Sequence, residues 1–170
     1  LPKNIIIGVM INANEYLQAA EEPVKMINKL FQRCDESPVK LVRIAINFDK
    51  VLKAEVLAKE LKRLGYEVGL NMMQSHGKEE QHYKQVAKQI EEWGCVDVLY
   101  FADSLGSMGP SEIQYICSAL KSVWIKPLGI HTHNNKDLAL INSLTALDEG
   151  VTWCDATITG MGRGAGNVAT

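Results

Sequence analysis

His131 and His133 stand two apart in the run Leu128-Gly129-Ile130-His131-Thr132-His133-Asn134-Asn135. Side chains on an extended strand alternate between its faces, so both imidazoles leave the same side. Their ring nitrogens can then converge on one ion, and imidazole suits zinc, manganese, iron and similar metals. Such a site needs at least one more ligand, usually a carboxylate. An H-x-H pair alone more often marks two packed or surface histidines; its position at a strand end brings the metal reading level with that one. His131 fits the packed or surface reading poorly, because it interrupts an otherwise apolar run.

A second candidate is the loop Gly160-Met161-Gly162-Arg163-Gly164-Ala165-Gly166-Asn167. It is neither a dinucleotide fingerprint nor a P-loop. Its glycines permit backbone conformations closed to other residues and expose amides that can cradle an anion. Arg163 could grip a carboxylate with two parallel hydrogen bonds. The alternative is a flexible turn. His76 ends another apolar run and is a candidate to face a site, whereas His82 sits among Lys and Gln and reads as solvated.

The elements that must carry these groups recur at a steady interval. Apolar runs rich in β-branched residues lie at 5–11, 41–48, 67–73, 96–102, 128–133 and 153–159. Several are apolar on both faces, as strands buried in a parallel sheet are. Helical patterns fill the intervals at 22–31, 51–64, 79–93, from Pro110 onward, and at 138–148. Asp49 is read as the cap of the second of these, and Leu138, Ile141 and Thr145 as the buried face of the last. Successive strands start roughly 30 residues apart, the length of a βαβ unit. The fold class is therefore α/β with a parallel sheet. Six units are about three quarters of an eight-unit barrel of about 250 residues, so a (β/α)8 barrel would lack its first two units here. The rival is an open, doubly wound sheet. In both, ligands bind at the carboxyl ends of the strands. Asn47, Asp49, Asn71, Gln74, Ser75, His76, Asp103, Ser104, His131, His133, Asn134, Asn135, Thr157 and Thr159 all gather there.

The 170-residue chain is 46% hydrophobic and 22% charged with a net charge of -2, ordinary for one globular domain. No basic block points to nucleic acid or a membrane surface, and no apolar run approaches the roughly 20 residues of a spanning helix. Leu1-Pro2-Lys3-Asn4 runs straight into the first strand pattern and does not read as a secretory leader. Cys34, Cys95, Cys117 and Cys154 are widely spaced with no C-x-x-C pair, which reads as reduced thiols in a cytoplasmic protein.

Taken together, Gly129-Ile130-His131-Thr132-His133-Asn134-Asn135 and Asp155-Ala156-Thr157-Ile158-Thr159-Gly160-Met161-Gly162-Arg163-Gly164-Ala165-Gly166-Asn167 strongly resemble the HMG-CoA-lyase-like metallolyases. Ala102-Asp103-Ser104-Leu105-Gly106-Ser107-Met108 and Met72-Met73-Gln74-Ser75-His76 resemble further segments of that superfamily. Its 4-hydroxy-2-oxovalerate aldolase branch looks nearest, and the HMG-CoA lyase branch carries a loop cysteine where Arg163-Gly164-Ala165 stands here. The resemblance implies a TIM barrel, strands three to eight of which are present, and a divalent metal, Mn or Mg with Zn or Co as alternatives. It implies His131 and His133 as ligands, with Asn167 in or near the metal shell. Arg163 and Asn135 become the candidate substrate-binding groups, and His76 and Asp103 the candidate catalytic ones. Asp103 has an alternative role, holding a ligand histidine in orientation. The family's strand-one motif, with an aspartate ligand and an arginine, has no counterpart here; its place would be before Leu1. The implied reaction is cleavage of a 4-hydroxy-2-oxo acid to pyruvate and an aldehyde. The alternatives are an acyl-CoA-dependent condensing enzyme of the same fold and a catalytically inert fragment. The implied partner is a small-molecule 2-oxo acid, and open strand edges imply a homo-oligomer.

Overall fold

The computed structural model describes residues 5–170; the lead-in at residues 1–4 lies outside the described residues. Six strands, β1 (Ile7–Asn12), β2 (Val39–Asn47), β3 (Glu67–Met73), β4 (Val98–Asp103), β5 (Leu128–Thr132) and β6 (Trp153–Cys154), form one sheet in the order β1-β2-β3-β4-β5-β6. Every adjacent pair is parallel. Six helices accompany them: α1 (Ala13–Leu17), α2 (Pro23–Leu30), α3 (Glu55–Arg63), α4 (Glu80–Trp93), α5 (Pro110–Lys121) and α6 (Ala139–Asp148). Strands that follow one another in space as in sequence make a half-barrel. A doubly wound sheet reverses direction at a switch point, and none occurs among the described residues, so the rival open-sheet reading is overturned.

The helices lie along the outer face, each from α2 to α6 packed on the next. Register assigns the faces. Val42, Ile44 and Ile46 of β2, Val68, Leu70 and Met72 of β3, Leu99 and Phe101 of β4, and Leu128 and Ile130 of β5 point outward. They are buried against Leu57, Leu61, Val86, Ile90, Ile113, Ile116 and Leu120 of the helices. Each such side chain contributes about 1.5–3 kcal/mol by leaving water. The inner face carries Arg43, Asn71, Tyr100, Gly129, His131 and Trp153. Ala45, Val98 and Ala102 share this face with those polar and aromatic groups.

Helix boundaries follow local chemistry. Pro23 and Pro110 open α2 and α5, where a missing N–H costs nothing, and α4 ends at Gly94 with φ +68°. The expected 51–64 helix begins earlier, as a 3-10 turn over Phe48–Ala54 that leads into α3. Its cap is Asn47, whose side chain accepts from the Asp49 amide at 3.0 Å, and not Asp49.

Two further expectations need correction. The strand expected over 153–159 pairs with β5 only as Trp153–Cys154; Thr157 instead bridges Ala169, and Thr159 leaves the extended conformation at φ +57°. In α6 the buried face is Ala139, Asn142, Ser143 and Ala146, while Leu140, Ile141, Leu144 and Leu147 are exposed. Small and polar residues face the sheet there because they meet polar groups: Thr132 Oγ1 lies 3.1 Å from Ser143 Oγ, and Asn142 Nδ2 donates to the Met108 carbonyl at 3.0 Å.

Candidate metal centre

β5 delivers both histidines to the inner face at its carboxyl end. His131 Nε2 and His133 Nε2 are 3.3 Å apart, with the rings edge to face. The other nitrogen of His131, Nδ1, lies 2.7 Å from Asp155 Oδ2. An ionised carboxylate only accepts, so Nδ1 carries the proton and Nε2 is left with its lone pair. Asp155 also meets Arg43, whose Nη1 approaches Oδ1 at 2.7 Å and Oδ2 at 2.6 Å. Burial pushes the Asp155 carboxyl upward, but the His131 hydrogen bond and the Arg43 charge outweigh it and hold the group below the usual carboxylate range. His133 is held below the ordinary histidine value, first by burial and then by its neighbour His131.

The glycine loop folds back over this end of β5. The Asn134 amide donates to the Gly166 carbonyl at 2.9 Å, and Asn167 forms an antiparallel bridge with His133. Directly opposed residues on antiparallel strands share a face, so Asn167 projects beside His133. Its Nδ2 donates to the Met161 carbonyl at 3.2 Å, and its Oδ1 is buried without a partner. His131, His133 and Asn167 are thus brought together. Among the described residues no three His, Cys, Asp or Glu side chains cluster as a metal site; the two imidazoles converge, and Asn167 is joined to His133 through the backbone bridge.

The remaining candidates are placed differently. Asn135 is exposed beside Gly106, where an added Cβ would stand 2.6 Å from the Asn135 amide nitrogen, and near Gly164. Arg163 is exposed at the tip of the glycine loop. His76 follows β3, half-buried, with its Nδ1 buried and unpartnered. Asp103 is 1% exposed at the end of β4, and its two oxygens accept the amides of Ser107 at 2.9 Å and Met108 at 3.2 Å. The carboxylate that orients a histidine is Asp155 rather than Asp103.

Arg43, Tyr100 and Asp155 join the site through tertiary contacts that no local motif announces. Arg43 carried a usable signal, the same one as His131: a lone charge inside the apolar strand Leu41-Val42-Arg43-Ile44-Ala45-Ile46, which requires a partner. Tyr100 is 3% exposed, and burial, with the Asp155 charge adding and Arg43 opposing, pushes its phenol up to about 12.

The HMGL-like family model matches residues 8–170. The chain belongs to the HMGL-like family. Within it, this chain is 36% identical over 142 residues to 4-hydroxy-2-oxovalerate aldolase of Geobacillus genomosp. 3, which covers 84% of the chain and 42% of that protein. To the enzyme of the same name from Pelotomaculum thermopropionicum it is 38% identical over 135 residues, covering 79% of the chain and 40% of that protein. It therefore spans about 40% of the length of these curated relatives. The N-terminal domain of a Bacteroides vulgatus protein described as a candidate aldolase superposes with a TM-score of 0.84 at 34% identity, over 98% of this chain and 53% of that one. HMG-CoA lyase from Bacillus subtilis superposes at 0.77 with 14% identity, over 99% of this chain and 61% of that one, a likeness of fold alone. No helix among the described residues is long and apolar enough to cross a membrane.

Proposed function

We propose that this chain carries the metal-binding half of an aldolase that cleaves a 4-hydroxy-2-oxo acid to pyruvate and an aldehyde. The observation that supports it is the pair of Nε2 atoms of His131 and His133, 3.3 Å apart at the carboxyl end of β5. Two nitrogens each about 2.1 Å from a shared ion stand roughly 3.0–3.4 Å apart for coordination angles between a right angle and a tetrahedral one. Asn167, bridged to His133, carries a buried Oδ1 without a partner, an oxygen of the kind a hard cation takes. The residues therefore fit a divalent metal, with His131, His133 and Asn167 as its holders and Mn or Mg as the preferred ion. A divalent metal supplies Lewis acidity that disperses the negative charge left on the 2-oxo oxygen when the carbon–carbon bond breaks.

The chain's own groups do the rest. Asp155 keeps His131 in the Nδ1–H tautomer, so that Nε2 remains a ligand. Arg163 and Asn135, both exposed at the rim, bind the substrate carboxylate. His76, with its buried and unpartnered Nδ1, is the candidate on this chain to take the proton of the C4 hydroxyl. Asp103 acts at one remove, fixing the turn that leads from β4 into α5. Four free thiols accord with a reducing, cytoplasmic setting.

The test is two-part. The chain is titrated with Mn2+ and Mg2+ by calorimetry, and the full-length parent is assayed for pyruvate release from a 4-hydroxy-2-oxo acid against consumption of an acyl-CoA thioester. Saturable Mn2+ binding that is lost in His131→Ala and His133→Ala, with pyruvate released, supports the reading. Thioester consumption without pyruvate, or Mn2+ binding indifferent to both histidines, overturns it.

A further inference from the structure

Arg43 lies 112 residues before Asp155 in sequence and reaches it across the inside of the half-barrel. Its path is prepared. On β3 the register partner of Arg43 is Gly69, and a Cβ there would stand 3.3 Å from Arg43 Cγ, so the aliphatic stem lies on the bare backbone of Gly69. On β4 the guanidinium sits 4.7 Å above the centre of the Tyr100 ring. On β5 Gly129 leaves room for that ring to lean over it, and on β6 Trp153 meets the ring edge to face at 6.4 Å. The cation thus passes over one glycine and one aromatic ring, itself seated on Gly129 and braced by Trp153, before ending on a carboxylate. Arg43 and Asp155 side chains are 18% and 22% exposed, so the pair is largely sheltered from water.

The end of the path is specific. Asp155 Oδ2 takes both the guanidinium at 2.6 Å and His131 Nδ1–H at 2.7 Å. The side-chain hydrogen bonds of Arg43 go to Asp155 and not to either histidine. We propose that Arg43 is a positioning residue that fixes Asp155 and, through it, the tautomer and ring orientation of His131. The part of this that concerns metal affinity rests on the function proposed above; the part that concerns the imidazole does not. A carboxylate with one anchored geometry presents one acceptor direction to the ring. Without the Nη1 contacts of Arg43, Asp155 is free to swing toward water, and the neutral imidazole can place its proton on Nε2, where it blocks the ligand position.

A purely structural Arg43, serving only to tie β2 to the end of β6, would change stability and leave the imidazole alone. The two roles separate by nitrogen-15 NMR of histidine-labelled, metal-free chain, which reads which ring nitrogen carries the proton. Wild type should show His131 as Nδ1–H. In Arg43→Met, which keeps the stem over Gly69 and Tyr100, His131 should become a mixture of both tautomers, and Mn2+ affinity should fall about 10–100-fold. Arg43→Lys should recover part of both losses. Lys62→Met removes the Lys62–Asp97 pair on the outer surface and should move neither readout. Where Arg43→Met does not fold, Arg43→Gln carries the same expectation. A folded neutral variant that retains wild-type His131 signals overturns the proposal. Failure of wild type to bind Mn2+ overturns the metal reading instead, and the tautomer still decides the role of Arg43.

Discussion

The ring of Tyr100 occupies the space that a side chain on Gly129 would need: a Cβ at Gly129 would lie 2.6 Å from Tyr100 Cζ. The neighbouring strand therefore gives up a side chain so that an aromatic platform can lie flat beneath Arg43. Gly129→Ala must displace the ring, and overfilling of this kind costs about 1–3 kcal/mol. Urea denaturation followed by tryptophan fluorescence checks this, because Trp153 packs against the same ring. A variant as stable as wild type, with an unchanged Trp153 environment, would refute the platform.

Asp103 holds the turn after β4 through two amides, in a site only 1% exposed to solvent. Asp103→Ala leaves those amides without acceptors and should cost about 1–3 kcal/mol for each one that stays buried and unpaired. Hydrogen exchange at Ser107 and Met108 should accelerate more than exchange in β1. Equal acceleration everywhere would mean that the loss is global and that the turn is not the seat of the effect.

Glu60 is 8% exposed and accepts from Arg63 Nη2 at 2.7 Å and from Asn28 Nδ2. The Arg63 hydrogen bonds pull its carboxyl below the ordinary value of 4.5, burial opposes them, and Asn28 adds to the lowering. A carboxyl depressed in the folded state binds fewer protons there than when unfolded. Its stabilisation is complete above the ordinary value and drains away as pH falls through the depressed one. Glu60→Gln should therefore be less stable than wild type at about pH 7 and approach it at about pH 3. A gap in urea midpoint that stays constant over that range would contradict the assignment.

Asn167, bridged to His133 through the glycine loop, has a buried and uncommitted Oδ1. Supplying a charge there favours a hard dication, since affinity rises with the number of anionic ligands. Asn167→Asp should tighten Mn2+ binding by at least about tenfold and Asn167→Leu should weaken it. Calorimetric titration of the three proteins gives the order directly. If Asn167→Leu binds as well as wild type, the amide oxygen is not a ligand.

The legible parts of the site share one property: they are short-range. Two residues of separation on a strand put His131 and His133 on one face whatever the rest of the molecule does. The glycine run after β6 was visible for the same reason. α6 shows where short-range patterning misleads. Its leucines trace an apolar stripe, yet Asn142 and Ser143 face inward, because the partners they meet are the polar Thr132 and the Met108 carbonyl. Periodicity identifies a helix with two unlike faces but does not say which face the sheet will take.

Sequence alone determined the alternation of strand and helix, the parallel sheet and the common direction of the two imidazoles, because each follows from backbone geometry over a few residues. The tertiary structure decided that the strands run in unbroken order as a half-barrel. It also joined Asp155 to His131 across 24 residues and Arg43 to Asp155 across 112. Those contacts depend on strand register and on the side chains that Gly69 and Gly129 omit. Register is a property of the whole sheet, fixed only when every strand has found its neighbour.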